Sequence, residues 1–98
     1  MSEAAEAPVV AGTAVPYLPR GVRLRHCPLR GAWFLLAPER ALKLDTVGAH
    51  VLQALDGSDF DTVVAALAAR FNAPPERIAA DAGAFLTQMA DRRMVEFR

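Results

Sequence analysis

Apolar and polar residues alternate along Val22-Arg23-Leu24-Arg25-His26, the period of two that marks a strand with one buried face. Cys27-Pro28-Leu29-Arg30-Gly31 breaks the alternation, and Trp33-Phe34-Leu35-Leu36 follows as an unbroken aromatic and apolar run, as the middle strand of three requires. Pro38-Glu39-Arg40 ends that run because proline cannot continue a ladder, and Ala41-Leu42-Lys43-Leu44 then alternates again. The pattern predicts a three-stranded antiparallel meander. Such a sheet has two edges, each with unpaired N–H and C=O groups that something must cover or use.

Downstream the period lengthens to that of a helix. Asp45 suits an N-cap, and Val47, Val51, Leu52 and Leu55 fall on one face of a helix from about Thr46 to Leu55, which Asp56-Gly57 stops. His50 lies off that face and reads as a surface histidine. Asp59 or Asp61 can cap a second helix reaching Phe71, striped by Val63, Val64, Leu67 and Phe71. Pro74-Pro75-Glu76 opens a third, running to about Asp91 with Ile78, Ala82, Phe85, Leu86 and Met89 buried. Beside that face lie the small residues Ala80, Gly83, Ala84 and Thr87. A glycine inside a helix costs roughly 1 kcal/mol relative to alanine, which calls for a packing reason. Either a strand lies close, between this helix and the sheet, or the face rests on the second helix. Met94-Val95-Glu96-Phe97 is predicted as a short last strand.

The composition narrows what such a domain does. Ninety-eight residues with 53% hydrophobic content suffice for one small core. Eleven Lys and Arg balance eleven Asp and Glu, so no overall field draws the chain to nucleic acid or an anionic membrane. The one cysteine excludes an internal disulfide and suits a reducing cytoplasm. The amino-terminal residues lack the basic and apolar segments of a signal peptide, and no apolar run approaches the length of a membrane span. Residues 1 to 19, rich in Ala and Pro, are expected to form a disordered tail or linker, with the domain proper over residues 20 to 98.

Candidate chemistry is sparse. His26 and Cys27 are adjacent on a strand and point to opposite faces, so they cannot chelate one ion, and no metal site is expected. The two histidines sit on separate elements and supply no nucleophile, base and orienting group together, so the chain reads as no enzyme and no catalytic residue is named. Arg20, Arg23, Arg25 and Arg30 form a run of positive charge without an intervening acid. Arg23 and Arg25 share one strand face, either as a solvated surface or as a dock for an acidic partner.

Three short strands followed by three helices resemble a winged helix-turn-helix domain, an α+β topology with a three-stranded antiparallel sheet followed by a three-helix bundle. More specific text is Pro19-Arg20-Gly21-Val22-Arg23-Leu24, Gly31 to Leu36, Ala37-Pro38-Glu39-Arg40-Ala41, Leu55-Asp56-Gly57, Ala73-Pro74-Pro75-Glu76-Arg77-Ile78 through Asp81, and Met89-Ala90-Asp91. In that order and spacing it resembles the PqqD family, small peptide chaperones of pyrroloquinoline quinone biosynthesis, over about residues 17 to 97. It departs from the family at Cys27, where an acidic residue is expected.

The resemblance implies a non-catalytic adaptor without cofactor, which binds the precursor peptide PqqA and presents it to the radical SAM enzyme PqqE. In leader-peptide recognition domains of this kind the peptide adds a strand to the sheet edge beside the third helix. Carried onto this chain, the edge is Arg40, Ala41, Leu42, Lys43 and Leu44, and the groove wall is Ala80, Gly83, Ala84, Thr87 and Gln88. Arg23 and Arg25, at the opposite end of the sheet, are then the expected contact for the enzyme. The chain is expected to be a cytoplasmic monomer with no nucleic acid or membrane partner. The alternative by fold is a DNA-binding winged helix-turn-helix protein. It is disfavoured because Arg77 and Gln88 on the third helix are offset by Glu76, Asp81 and Asp91.

Overall fold

The computed structural model describes residues 10–98. In chain order the elements are β1 (Pro16–Tyr17), β2 (Arg23–Cys27), β3 (Ala32–Ala37), β4 (Arg40–Leu44), α1 (Thr46–Gln53), α2 (Phe60–Phe71), α3 (Pro75–Asp91) and β5 (Glu96–Phe97). The antiparallel sheet β2-β3-β4 followed by three helices is the architecture expected. A second, two-stranded antiparallel sheet joins β1 to β5.

Register assigns the two faces of the larger sheet. Leu24, Leu35 and Leu42 stand opposite one another across the three strands, as do His26, Trp33 and Leu44. Leu35 is wholly buried, and Leu24, Trp33 and Leu42 touch the core beside it, so this is the inner face. Because successive side chains alternate, the outer face carries Arg23, Leu36 and Ala41 in one row and Arg25, Phe34 and Lys43 in the next. Phe34 and Leu36 take no part in the core.

Each helix start has a local cause. Asp45 Oδ1 accepts from Gly48 N at 2.7 Å to open α1, and Asp59 Oδ1 accepts from Thr62 N at 3.0 Å to open α2. Pro75 sits in the first turn of α3, where its missing N–H leaves no donor unsatisfied. Asn72 ends α2 in the left-handed conformation, φ 52°, which asparagine tolerates. The buried face of α1 is Gly48, Ala49, Val51 and Leu52. This corrects the expected stripe: Val47 is 57% exposed, and the α1 position turned toward α3 is Gly48, which the Phe85 ring approaches too closely for a side chain. Phe71 is likewise 43% exposed at the end of α2.

The expectation for residues 1 to 19 divides. Residues 1–9 lie outside the described part, whereas Val10 to Pro19 is an ordered arm, contrary to the predicted disorder. Pro16 opposes Phe97 and is among the most buried side chains, and Val15 and Arg98 exchange main-chain bonds at 2.8 and 3.0 Å. Phe60 N donates to Ala14 O at 2.7 Å and Asp61 N to Gly12 O at 3.0 Å. These bonds satisfy donors that a helix start leaves free. The arm lacks periodicity because it is held by its main chain and by a few isolated side chains, Val10 and Leu18 among them.

Candidate functional site

Sheet order leaves β4 at an edge. A two-residue turn, Pro38-Glu39 with Glu39 at φ 64°, joins β3 to β4 and pairs Ala37 with Arg40. The residues closing such a turn exchange hydrogen bonds, and antiparallel pairs then alternate. Arg40, Leu42 and Leu44 therefore bond to β3, while the N–H and C=O of Ala41 and Lys43 point to the open edge. The edge thus carries unpaired main-chain groups of the kind a guest strand takes up.

A concavity of about 320 Å³ adjoins the start of this edge, lined by Glu39, Arg40, Ala41, Leu42, Arg92 and Met94. Arg40 Nη1 donates to Arg92 O at 3.0 Å and ties the strand to the end of α3. Past the other end of β4 lies an apolar cleft of about 160 Å³ between the helices, with Thr46, Val47, His50, Val51, Phe71, Ile78 and Asp81 in its wall. His50 is half-buried rather than free on the surface as expected. Its ring stands edge-on to Phe71 at 4.9 Å, and its buried Nδ1 has no hydrogen-bond partner among the described residues.

On α3 the inward direction is fixed by Ala82, Leu86 and Met89. At 100° per residue, Ile78, Asp81, Phe85, Gln88 and Arg92 form the flank toward α1 and β4. The contacts agree: the Phe85 ring lies so close to Gly48 that a Cβ added there would come within 2.8 Å of it. Gly83 turns the other way. A Cβ on it would meet Phe60 and Val10, each at 3.7 Å. By the same spacing, Gln88 is the one residue of the expected groove wall that falls on the flank toward α1 and β4. Ala80 and Ala84 face outward, and Gly83 and Thr87 lean toward the arm and α2. Gly83 faces α2, the other of the two arrangements considered for it, together with the arm, and an added methyl would meet both at ordinary contact distance.

Arg23 and Arg25 are exposed on the outer face of β2, the edge opposite β4. His26 rests against Trp33 at 5.0 Å between centroids, on the face opposite to Cys27. Among the described residues no three of His, Cys, Asp and Glu gather as a metal ion would need, and no helix is long and apolar enough to cross a membrane.

A family profile described as Coenzyme PQQ synthesis protein D (PqqD) matches residues 32–95, from β3 through the turn before β5. The chain belongs to the PqqD family. The PqqA binding protein of Rhizobium meliloti (strain 1021) is 46% identical over 93 residues, covering 94% of this chain and 95% of that protein. The bifunctional coenzyme PQQ synthesis protein C/D of Methylorubrum extorquens is 39% identical over 93 residues, 94% of this chain but 25% of that longer protein. Among solved structures, the PqqD truncation of Methylobacterium extorquens PqqCD superposes with a TM-score of 0.79 at 38% identity, covering 93% of this chain and 98% of that one. It is described as a functional, stand-alone recognition element for ribosomally synthesized and post-translationally modified peptides. PqqD from Xanthomonas campestris gives 0.54 at 34% identity, over 88% and 97% of the two chains. Two of these PqqD relatives are named for peptide binding or recognition, and the fold read from the sequence is that of the solved PqqD structures.

Proposed function

We propose that this PqqD-family chain is a non-catalytic peptide chaperone that binds the precursor peptide PqqA by strand addition and presents it to the radical SAM enzyme PqqE in pyrroloquinoline quinone biosynthesis. The observation that carries the reading is the open β4 edge, where Ala41 and Lys43 turn their main-chain groups outward beside a concavity lined by Arg92 and Met94. A similar protein is named for binding PqqA, which supplies the peptide. Main-chain bonds to the edge give affinity, and alternate side chains entering the groove give register. In this reading the protein acts as a monomer in the cytoplasm, and the enzyme docks through Arg23 and Arg25, on the edge strand opposite the one the peptide joins.

Amide hydrogen exchange with and without PqqA tests the site. Bound peptide should slow exchange at Ala41 and Lys43 and leave Leu42, already bonded to β3, little changed. Protection confined to the helical cleft, with β4 unaffected, would remove strand addition from the mechanism.

A further inference from the structure

Among the described residues, no helix lies over the outer face of the sheet. Phe34 and Leu36 are half-buried at its centre, yet outside the core. Arg25 and Lys43 flank Phe34 in one row, and Arg23 flanks Leu36 in the next. A concavity of about 450 Å³ opens here, lined by Arg25, His26, Arg30, Phe34 and Leu36 among others. At the tip of the β2–β3 turn, next to Arg30, Leu29 is 97% exposed. From Val10 to Pro38 the chain contains no Asp or Glu, and Glu39 stands in the β3–β4 turn at the other end of the sheet. Apolar side chains at the centre and cations around them make the arrangement of an interface core with a charged rim.

We propose that this outer face docks a protein partner presenting carboxylates around an apolar projection, and that the partner reads the bound peptide on the same surface. The second half rests on the strand-addition reading above. A strand added to β4 continues the sheet, so every second peptide side chain projects on the outer face, beside Ala41 and Lys43. Docked protein and presented peptide then form one surface. Charge favours an acidic protein over other occupants of a cationic face. Four cations around Phe34 and Leu36, on a chain of zero formal charge, lack the line of phosphate contacts and successive stacking rings by which a nucleic acid strand is held.

The test uses the full chain, with PqqE as probe, empty and saturated with PqqA. Arg25→Glu/Arg30→Glu reverses charge on the face, Leu29→Ser removes its most exposed apolar group, and Arg70→Glu/Arg77→Glu makes the same charge change on the helices. Enzyme affinity should fall about tenfold or more for the first variant at about 50 mM salt, and the loss should shrink at about 500 mM. Leu29→Ser should weaken it at both salt concentrations. The helix variant should behave as wild type, and PqqA affinity should be retained in all three. The peptide-loaded protein should bind the enzyme more tightly than the empty one. Unchanged enzyme binding in the Arg25/Arg30 variant overturns the proposal. So does tight binding of a random single-stranded oligonucleotide that the same variant abolishes. Amide exchange at β4 reports strand addition separately, so a wrong edge and a wrong face give different patterns.

Discussion

Single residues show where local chemistry decides and where neighbours do. Asp59 is held below the ordinary carboxylate range by hydrogen bonds from the Thr62 hydroxyl and, next, from its N–H. A carboxylate with a depressed folded pKa stabilises the fold above its unfolded pKa, and that contribution is lost as pH falls through the folded value. Asp59→Ala should therefore lower the melting temperature by a few degrees near pH 7, and the difference from wild type should close as the solution is acidified below the ordinary carboxylate range. Melting curves over pH check both. Caps such as Asp45 and Asp59 were legible in the sequence because the partner is three residues away. Val47 and His50 were misread because burial depends on what the fold brings opposite them. Gly83 is the same case. Its added methyl meets Phe60 and Val10 at ordinary contact distance, so Gly83→Ala should gain up to about 1 kcal/mol in helix stability. PqqA affinity should stay unchanged, since the glycine lies on the flank away from β4. A gain in stability with a loss of affinity would return the groove to the small face.

Among the elements, the arm was the least legible. Two-residue strands have no period to detect, and the bonds that hold β1 run to β5, Phe60 and Asp61. Its removal has consequences the composition does not suggest. Tyr17 Oη also donates to Glu96 at 2.7 Å, which raises the phenol above its ordinary range and fastens β1 to β5. Deleting residues 1–19 strips the cover from Phe97 and the start of α2 and should cost roughly 3 kcal/mol, the order of burying one or two apolar side chains. Chemical denaturation of the deleted and full chains measures it. An unchanged midpoint would mean that the arm rests on the domain without stabilising it. The three main strands were legible because their alternation, turns and caps all agree, and so was α3, whose ends are marked by Pro75 and by the basic pair Arg92-Arg93.

For the molecule as a whole, the sheet edge must be separable from the sheet itself if a guest strand is the mechanism. The alternation of bonds along β4 makes this testable with proline, which removes one N–H and is tolerated in a strand only where that N–H is not needed. At Ala41 the N–H points outward, so Ala41→Pro should fold with a small loss of stability. At Leu42 the N–H bonds to β3 and the side chain touches the core, so Leu42→Pro should unfold the sheet. Ala41→Pro then takes one main-chain bond from the peptide. A net hydrogen bond of about 1 kcal/mol corresponds to about fivefold weaker PqqA binding, readable by calorimetry. The same loss should appear as a smaller peptide-induced rise in melting temperature, because a ligand stabilises the fold in proportion to the logarithm of its concentration over Kd. The rival location is the cleft beyond the end of β4. Val47→Glu charges its exposed rim without disturbing the core, and should weaken PqqA only if the peptide runs on from the edge into that cleft. Loss in Ala41→Pro alone confines the peptide to the strand edge, and loss in both extends it along α1. Loss in Val47→Glu alone would show that the open edge of β4 is not where the peptide is held.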